Sequence, residues 1–193
     1  AVTFKELHKV FVVERGYARL TLQLALDSHA LFQYYPGCWF HGESLGLTED
    51  KKMSLAAVAM AEYENACAAG GYWARVRSIL ESDEEILPNL GDDYSWTDGL
   101  VRDVLRRCHD IAFIGNTGEA FICIPNEHGV QSFADVCTVL VRERFGGGCS
   151  LQELSEYLRL EGVIRRALTR TLLGSHDELM VSKHQVYLRE LEQ

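Results

Sequence analysis

Proline is scarce in this chain, three in 193 residues, so helices and strands run with few forced breaks. No stretch of 18 uncharged apolar residues occurs, so no segment has the pattern of a membrane-spanning helix. No leader of basic, then apolar, then small residues opens the sequence, and its first residues, AVTFKEL, contain no methionine. A piece excised from a longer chain is the expectation. The six cysteines, Cys38, Cys67, Cys108, Cys123, Cys137 and Cys149, include no C-x-x-C pair, and that spacing gives a zinc knuckle no support. With 47% of residues apolar, the core does not need a disulfide framework. Reduced, buried thiols of an intracellular protein are expected, with Cys108, Cys123 and Cys137 at apolar positions of their elements.

Positive charge is also in short supply. The chain carries 19 basic and 28 acidic side chains, a net charge of −9. The excess sits in the middle: residues 71–138 hold 5 basic and 12 acidic side chains, largely in ESDEEILPNLGDD, whereas residues 139–193 hold 8 of each. Such a balance argues against coating nucleic acid by bulk electrostatics, but leaves room for one local basic surface.

What is present is a recurrence. LALDSHALFQYYPGCWFHG, VLRRCHDIAFIGNTGEAFICIP and LLGSHDELMVSKHQVYLREL align on His29, His109 and His176. Apolar or small residues stand four and five, and eight and nine, positions before each histidine, which is one stripe on a helix. After each histidine the period shifts toward two, with a tight turn in the middle, as in a β-hairpin. The last copy is the most complete. SFADVCTVLVRERF puts Phe133, Val136, Cys137, Leu140, Val141 and Phe145 on one helical face. A Gly146-Gly147-Gly148 break follows, and then SLQELSEYL opens with Ser150 and has Glu153 three residues on, a capping box. EGVIRRALTRTLLGSH is the third helix. In the middle copy a long helix is expected over roughly Ser54 to Leu80, a short acidic element around Ile86 and Leu90, and a third helix from Ser95-Trp96 to His109. The first copy, TFKELHKVFVVERG then YARLTLQLALDSH, leaves room for two helices only.

Helix, helix, helix, hairpin resembles the winged-helix family, in which a helix-turn-helix carries a two-stranded wing. The resemblance implies an α+β, mostly α chain of tandem winged-helix repeats: a partial unit at 1–48 and full units at 54–127 and 131–193. The last copy, through LGSHDELMVSKHQVYL, is also similar to the LOTUS variant of that fold. The resemblance further implies that a third helix enters the major groove while the wing touches phosphate. On the last copy Arg165, Arg166, Thr169 and Arg170 lie off the apolar stripe, Lys183 stands at the wing turn and Arg189 follows it. Arg165, Arg166, Arg170 and Lys183 are therefore the candidate nucleic-acid-binding residues. The competing reading is an ordinary solvated face, diluted by Glu161, Asp177 and Glu178.

Enzyme chemistry finds little footing. FGGGCS lacks the lysine and the preceding strand of a phosphate loop, and reads as a flexible turn before a capped helix. Cys38 and His41 have ligand-like spacing without a second pair. No catalytic residue, metal or cofactor is expected. Two functions stay open. One is a subunit of a complex that handles nucleic acid, in transcription or RNA processing, contacting RNA or DNA through the last copy. The other is a pure protein-interaction scaffold. Both imply protein partners and no membrane insertion.

Overall fold

The computed structural model of the chain describes residues 2–26, 30–81, 87–91, 93–108, 110–114, 122–125, 130–164, 168–174 and 176–189, with backbone alone at 23, 25, 122, 123 and 125. The architecture is α+β with small antiparallel sheets, and one element order recurs three times. First, β1 (Val2–Thr3) leads into α1 (Phe4–Leu7), which widens into a π-helix over His8–Glu14, and α2 (Arg19–Leu26) follows. The hairpin of β2 (Leu31–Tyr35) and β3 (Cys38–His41) then closes a sheet in the order β1-β3-β2. After α3 (Glu49–Ala68) come β4 (Ala74–Arg75), α4 (Val76–Glu81), α5 (Asp98–Leu105) and the hairpin β5 (Ile111–Ile114) and β6 (Ile122–Pro125), in the order β4-β6-β5. After α6 (Phe133–Glu143) come β7 (Gly148–Ser150), α7 (Leu151–Leu160), α8 (Arg170–Leu173) and the hairpin β8 (Leu179–Ser182) and β9 (Gln185–Leu188), in the order β7-β9-β8.

Several boundaries differ from the sequence expectation, each for a local reason. The expected helix over 54–80 begins at Glu49 and breaks after Ala68. Gly70 takes a left-handed φ of 82°, and its N–H and that of Gly71 close onto Cys67 and Ala66 carbonyls at 2.9 and 2.7 Å, a glycine-dependent helix stop. The glycine turn at 146–148 is in part a strand, because Gly148 pairs with Tyr187 and Cys149 with Val186. Ser150 and Glu153 do form the expected capping box. The third helix of the last copy is described only over Arg170–Leu173, since Gly162, at a φ of 68°, ends α7 and residues 163, 164, 168 and 169 are non-helical. The histidine alignment places the buried stripe correctly in the middle copy alone, where Leu100, Val101, Val104 and Leu105 are all buried. In the first copy Leu22 and Leu26 are buried while Leu20 and Leu24 are exposed; in the last, Leu168 of the expected stripe is buried, but Leu172 is exposed and Leu173 is buried in its place. His29 and His109 lie outside the described residues.

The chain divides into two compact units, residues 1–62 with 76–108, and residues 63–75 with 109–193. In the first unit, α5 lies across β2. Thr97 caps α5 by accepting the Leu100 N–H at 3.2 Å, and its hydroxyl donates to the Tyr34 carbonyl at 2.5 Å. Gly99 makes this approach feasible, for a Cβ there would stand 2.8 Å from the Tyr34 carbonyl oxygen and 3.2 Å from that of Gln33. Gly99→Ala sets two effects against each other. Alanine favours a helix interior by about 1 kcal/mol, but overpacking against strand backbone, which cannot swing aside, costs about 1–3 kcal/mol. The clash wins, so urea unfolding of Gly99→Ala is expected to show a net loss; an unchanged or raised midpoint would mean that α5 and β2 are not in this register.

In the second unit α6 supplies Val136, Cys137, Leu140 and Val141 to one core with Leu154 and Leu158 of α7, all at most 1% exposed. Trp73 joins this core, edge-on to Tyr157 with ring centroids 6.3 Å apart. Phe133 and Phe145, expected on the same face, are only partly buried at its margin.

Candidate nucleic-acid interface

Of the four residues singled out for nucleic acid, Arg165 and Arg166 lie outside the described residues. Arg170 is the first residue of α8 and is exposed. Lys183 is exposed at the β8–β9 turn in a left-handed conformation, φ 53°, which costs an L-residue about 1–2 kcal/mol. Neither side chain has a hydrogen bond or ion pair among the described residues, and their elements adjoin, since α8 packs on β8. The neighbouring acid Glu178 is held by Arg142 at 2.6 Å; Asp177 and Arg189 are exposed. Four residues of α-helix rise only about 6 Å, so the described part of α8 is too short to lie along a major groove as a full recognition helix would.

The corresponding helix of the middle copy is engaged within its own compact unit. Arg107 donates to the Leu31 carbonyl at 2.6 Å and to Asp103 at 3.0 Å, and its guanidinium lies 4.2 Å from the centre of the Phe32 ring. Asp103 accepts the Gln33 N–H at 2.9 Å, and Arg102 donates to the Gln33 side chain. Burial, reinforced by the Arg106 charge and opposed by Asp103, lowers the Arg102 pKa below the ordinary guanidinium value. The aromatic run FQYYPGCWF is accordingly divided: Phe32 and Tyr34 are buried while Tyr35 is exposed.

His176 follows α8, and its backbone N–H donates to the Leu173 carbonyl of that helix at 3.1 Å, while its ring turns to α6. Its Nε2 lies 2.6 Å from Asp135 Oδ1, and its Nδ1 accepts the Glu178 N–H at 3.3 Å, which leaves the ring proton on Nε2 to donate to Asp135. Asp135 at the same time closes a capping box with Ser132 at the start of α6. Burial pushes the Asp135 carboxyl up, but hydrogen bonds from His176, from the Gln131 N–H and from the Ser132 hydroxyl and N–H bring it below the usual aspartate value. The hydrogen bond joins residues 41 positions apart, so no local pattern announces it.

The five described cysteines are free thiols. Cys137 is fully buried, and burial, with Cys149 nearby, pushes its thiol up to about 12. Burial, with the Glu153 charge, pushes Cys149 up to about 11. Cys108, expected to be buried, is half-buried, Cys67 is exposed, and the Cys123 side chain lies outside the described residues. Among the described residues no three His, Cys, Asp or Glu side chains are placed to hold a metal ion, and no helix is long and apolar enough to cross a membrane.

Sequence reasoning missed an open apolar cleft of about 290 Å³ in the first unit, whose lining includes Leu7, Phe11, Tyr17, Leu22, Leu26 and Leu31. A signal for it was available. TFKEL at residues 3–7 matches SLQEL at 150–154 in its cap, its acid and its leucine, and both Thr3–Glu6 and Ser150–Glu153 are capping boxes. No protein-family model matches the chain, and no curated protein and no solved structure match it either.

Proposed function

We propose that this chain is a non-enzymatic assembly module of tandem winged-helix repeats, binding other protein subunits of a complex that handles nucleic acid. The observation that carries this reading is the engagement of α5. In a winged-helix reader that helix would be free to enter a groove, whereas here its Arg102, Asp103 and Arg107 are committed to β2. Three sheets with one strand order, first-last-middle, support the winged-helix assignment, and a net charge of −9 suits a protein-binding surface better than a phosphate-binding one. A second reading rests on Arg170 and Lys183, two exposed cations without partners among the described residues, which with Arg165 and Arg166 would touch RNA or DNA directly.

A titration against single-stranded and duplex RNA and DNA over a range of salt separates the two. The assembly reading expects no measurable affinity at physiological salt. Direct binding expects an affinity that alanine at these four positions weakens, its log–log salt slope falling by about one unit for each phosphate-neutralising cation removed. Binding with that behaviour would replace the first reading by the second.

A further inference from the structure

We infer that the pocket between the end of α3 and the last turn of α6 is a binding site for a methylated ammonium group, the side chain of a methylated lysine on a partner peptide. Its lining belongs entirely to the second compact unit, and its chemistry goes beyond the assembly reading without resting on it. Two glycines build the pocket. Tyr63 and Cys67 stand about one turn apart on α3, and the glycine stop at 70–71 folds the chain back onto that turn. Gly71 returns so closely that a Cβ there would stand 2.9 Å from the Ala66 carbonyl oxygen. Tyr72 and Trp73 follow at once and meet Tyr63 around one cavity of about 430 Å³. The Tyr72 and Trp73 rings lie 6.2 Å apart, centre to centre, inclined at 45°. Trp73 is set in the core, edge-on to Tyr157, and is a fixed wall, while Tyr63 and Tyr72 are half-buried against the same core. Ile124 and Val136 of that core also line the pocket.

Charge decides what three rings and an aliphatic floor recognise. Two charged side chains line the pocket, Arg142 and Glu143. Arg142 is engaged by Glu178 at 2.6 Å, whereas Glu143 is exposed and has no ion pair among the described residues. Arg144, next to it, is turned to Tyr157, its guanidinium 4.3 Å from the centre of that ring. Glu143 is also the last residue of α6, where the negative end of the helix dipole adds to its charge instead of offsetting it. The rim is therefore negative, and so are the faces of the aromatic rings, which attract a cation within about 6 Å of a ring centre. A primary ammonium is strongly hydrated, and an interior of rings and aliphatic side chains does not replace the water it would lose. An arginine side chain brings five N–H donors to the same interior. Methylation keeps the lysine charge and replaces its N–H donors by apolar surface, which suits both the rings and the negative rim.

The probe is the capped tripeptide acetyl-Gly-Lys-Gly-amide with its lysine trimethylated. It is compared with the unmethylated peptide and with an uncharged isostere in which tert-butyl replaces trimethylammonium. Binding to the intact chain is followed by calorimetry and by the indole N–H resonance of Trp73, identified by its loss in Trp73→Phe. The trimethylated peptide is expected to bind saturably and about tenfold more tightly than either comparison peptide. Of the three tryptophan resonances, that of Trp73 should shift. Glu143→Lys, an exposed change, replaces attraction by repulsion; it should weaken binding about tenfold while leaving circular dichroism and the unfolding midpoint unchanged. Tyr72→Leu should weaken it in the same direction, whereas Tyr72→Phe, which keeps the ring, should bind like the parent. Equal binding of the isostere would make the pocket a plain apolar seat and overturn the proposal. Absence of binding, a Trp73 resonance that does not move, or indifference to Glu143→Lys also overturns it. So does choline binding more tightly than the trimethylated peptide, which would assign the pocket to a free small molecule.

Discussion

Leu158→Ala lowers the stability of the second compact unit by about 3 kcal/mol, and Phe11→Ala, at the matching position of the first repeat, lowers that of the first by about 1 kcal/mol. The two positions share a place in the repeat but not an environment. Leu158 is fully buried in the core to which α6 also contributes, so truncation there removes transfer energy and leaves a cavity whose walls relax only in part. Phe11 stands half-exposed on the wall of an open cleft, where truncation enlarges a space that water already reaches. Urea unfolding followed by fluorescence checks the pair, since Trp73 belongs to the second unit and Trp39 and Trp96 to the first. The Leu158→Ala midpoint should fall by on the order of 1 M or more. Equal losses at the two positions would mean that Phe11 is as well covered as Leu158, and the cleft would not exist in solution.

Asp135→Ala is expected to lower the stability of the second unit by about 2–3 kcal/mol at neutral pH, because it removes the carboxylate that accepts from His176 and from the Gln131 and Ser132 N–H groups ahead of α6, hydrogen bonds to an ionised group worth about 1.5–3 kcal/mol each that are not fully additive. The loss depends on pH, with a sign fixed by the direction of the shift. Asp135 has a folded pKa below its ordinary value, so its carboxyl binds fewer protons folded than unfolded. Its contribution is complete above the unfolded aspartate value of about 3.9 and fades as pH falls through the lower, folded value. The parent should therefore lose stability on acidification in that window, and Asp135→Ala should lose less. Parallel pH profiles for the two proteins would show that His176 and the cap do not hold the carboxylate.

The sequence displayed those parts of the fold that repeat over a helical turn or an alternating strand. The α6 stripe of Val136, Cys137, Leu140 and Val141 spans enough residues to show its period, and Ser150–Glu153 is a pairing legible within four positions. The leading strands were not legible, because β4 is two residues, Ala74 and Arg75, and two residues carry no period. What defines β4 is its pairing with Cys123 and Ile122, information held in another part of the chain. The short span of α8 was hidden for the opposite reason, since EGVIRRALTRTLLGSH has an apolar rhythm but Gly162 and the capping geometry at Thr169 divide it. Of the candidate site, Arg170 and Lys183 were legible as exposed cations. The engagement of α5 by β2 and the open cleft were not, because both depend on which helix does or does not cover a face.

The strand order of the three sheets bears on how the chain comes off the ribosome. In each sheet the strand synthesised last takes the central place, so the two flanking strands have no ladder partner until it arrives. From Ser150, where β7 ends, to Gln185, where β9 begins, is 35 positions, about 2–7 s of synthesis at ordinary rates. From Arg75 to Ile122 is 47. During that interval a long, flat leading strand would offer its open backbone to any neighbouring nascent chain. With two or three residues each, β1, β4 and β7 are too short to act as such a template, so the same brevity that conceals them in the sequence protects the unfinished chain.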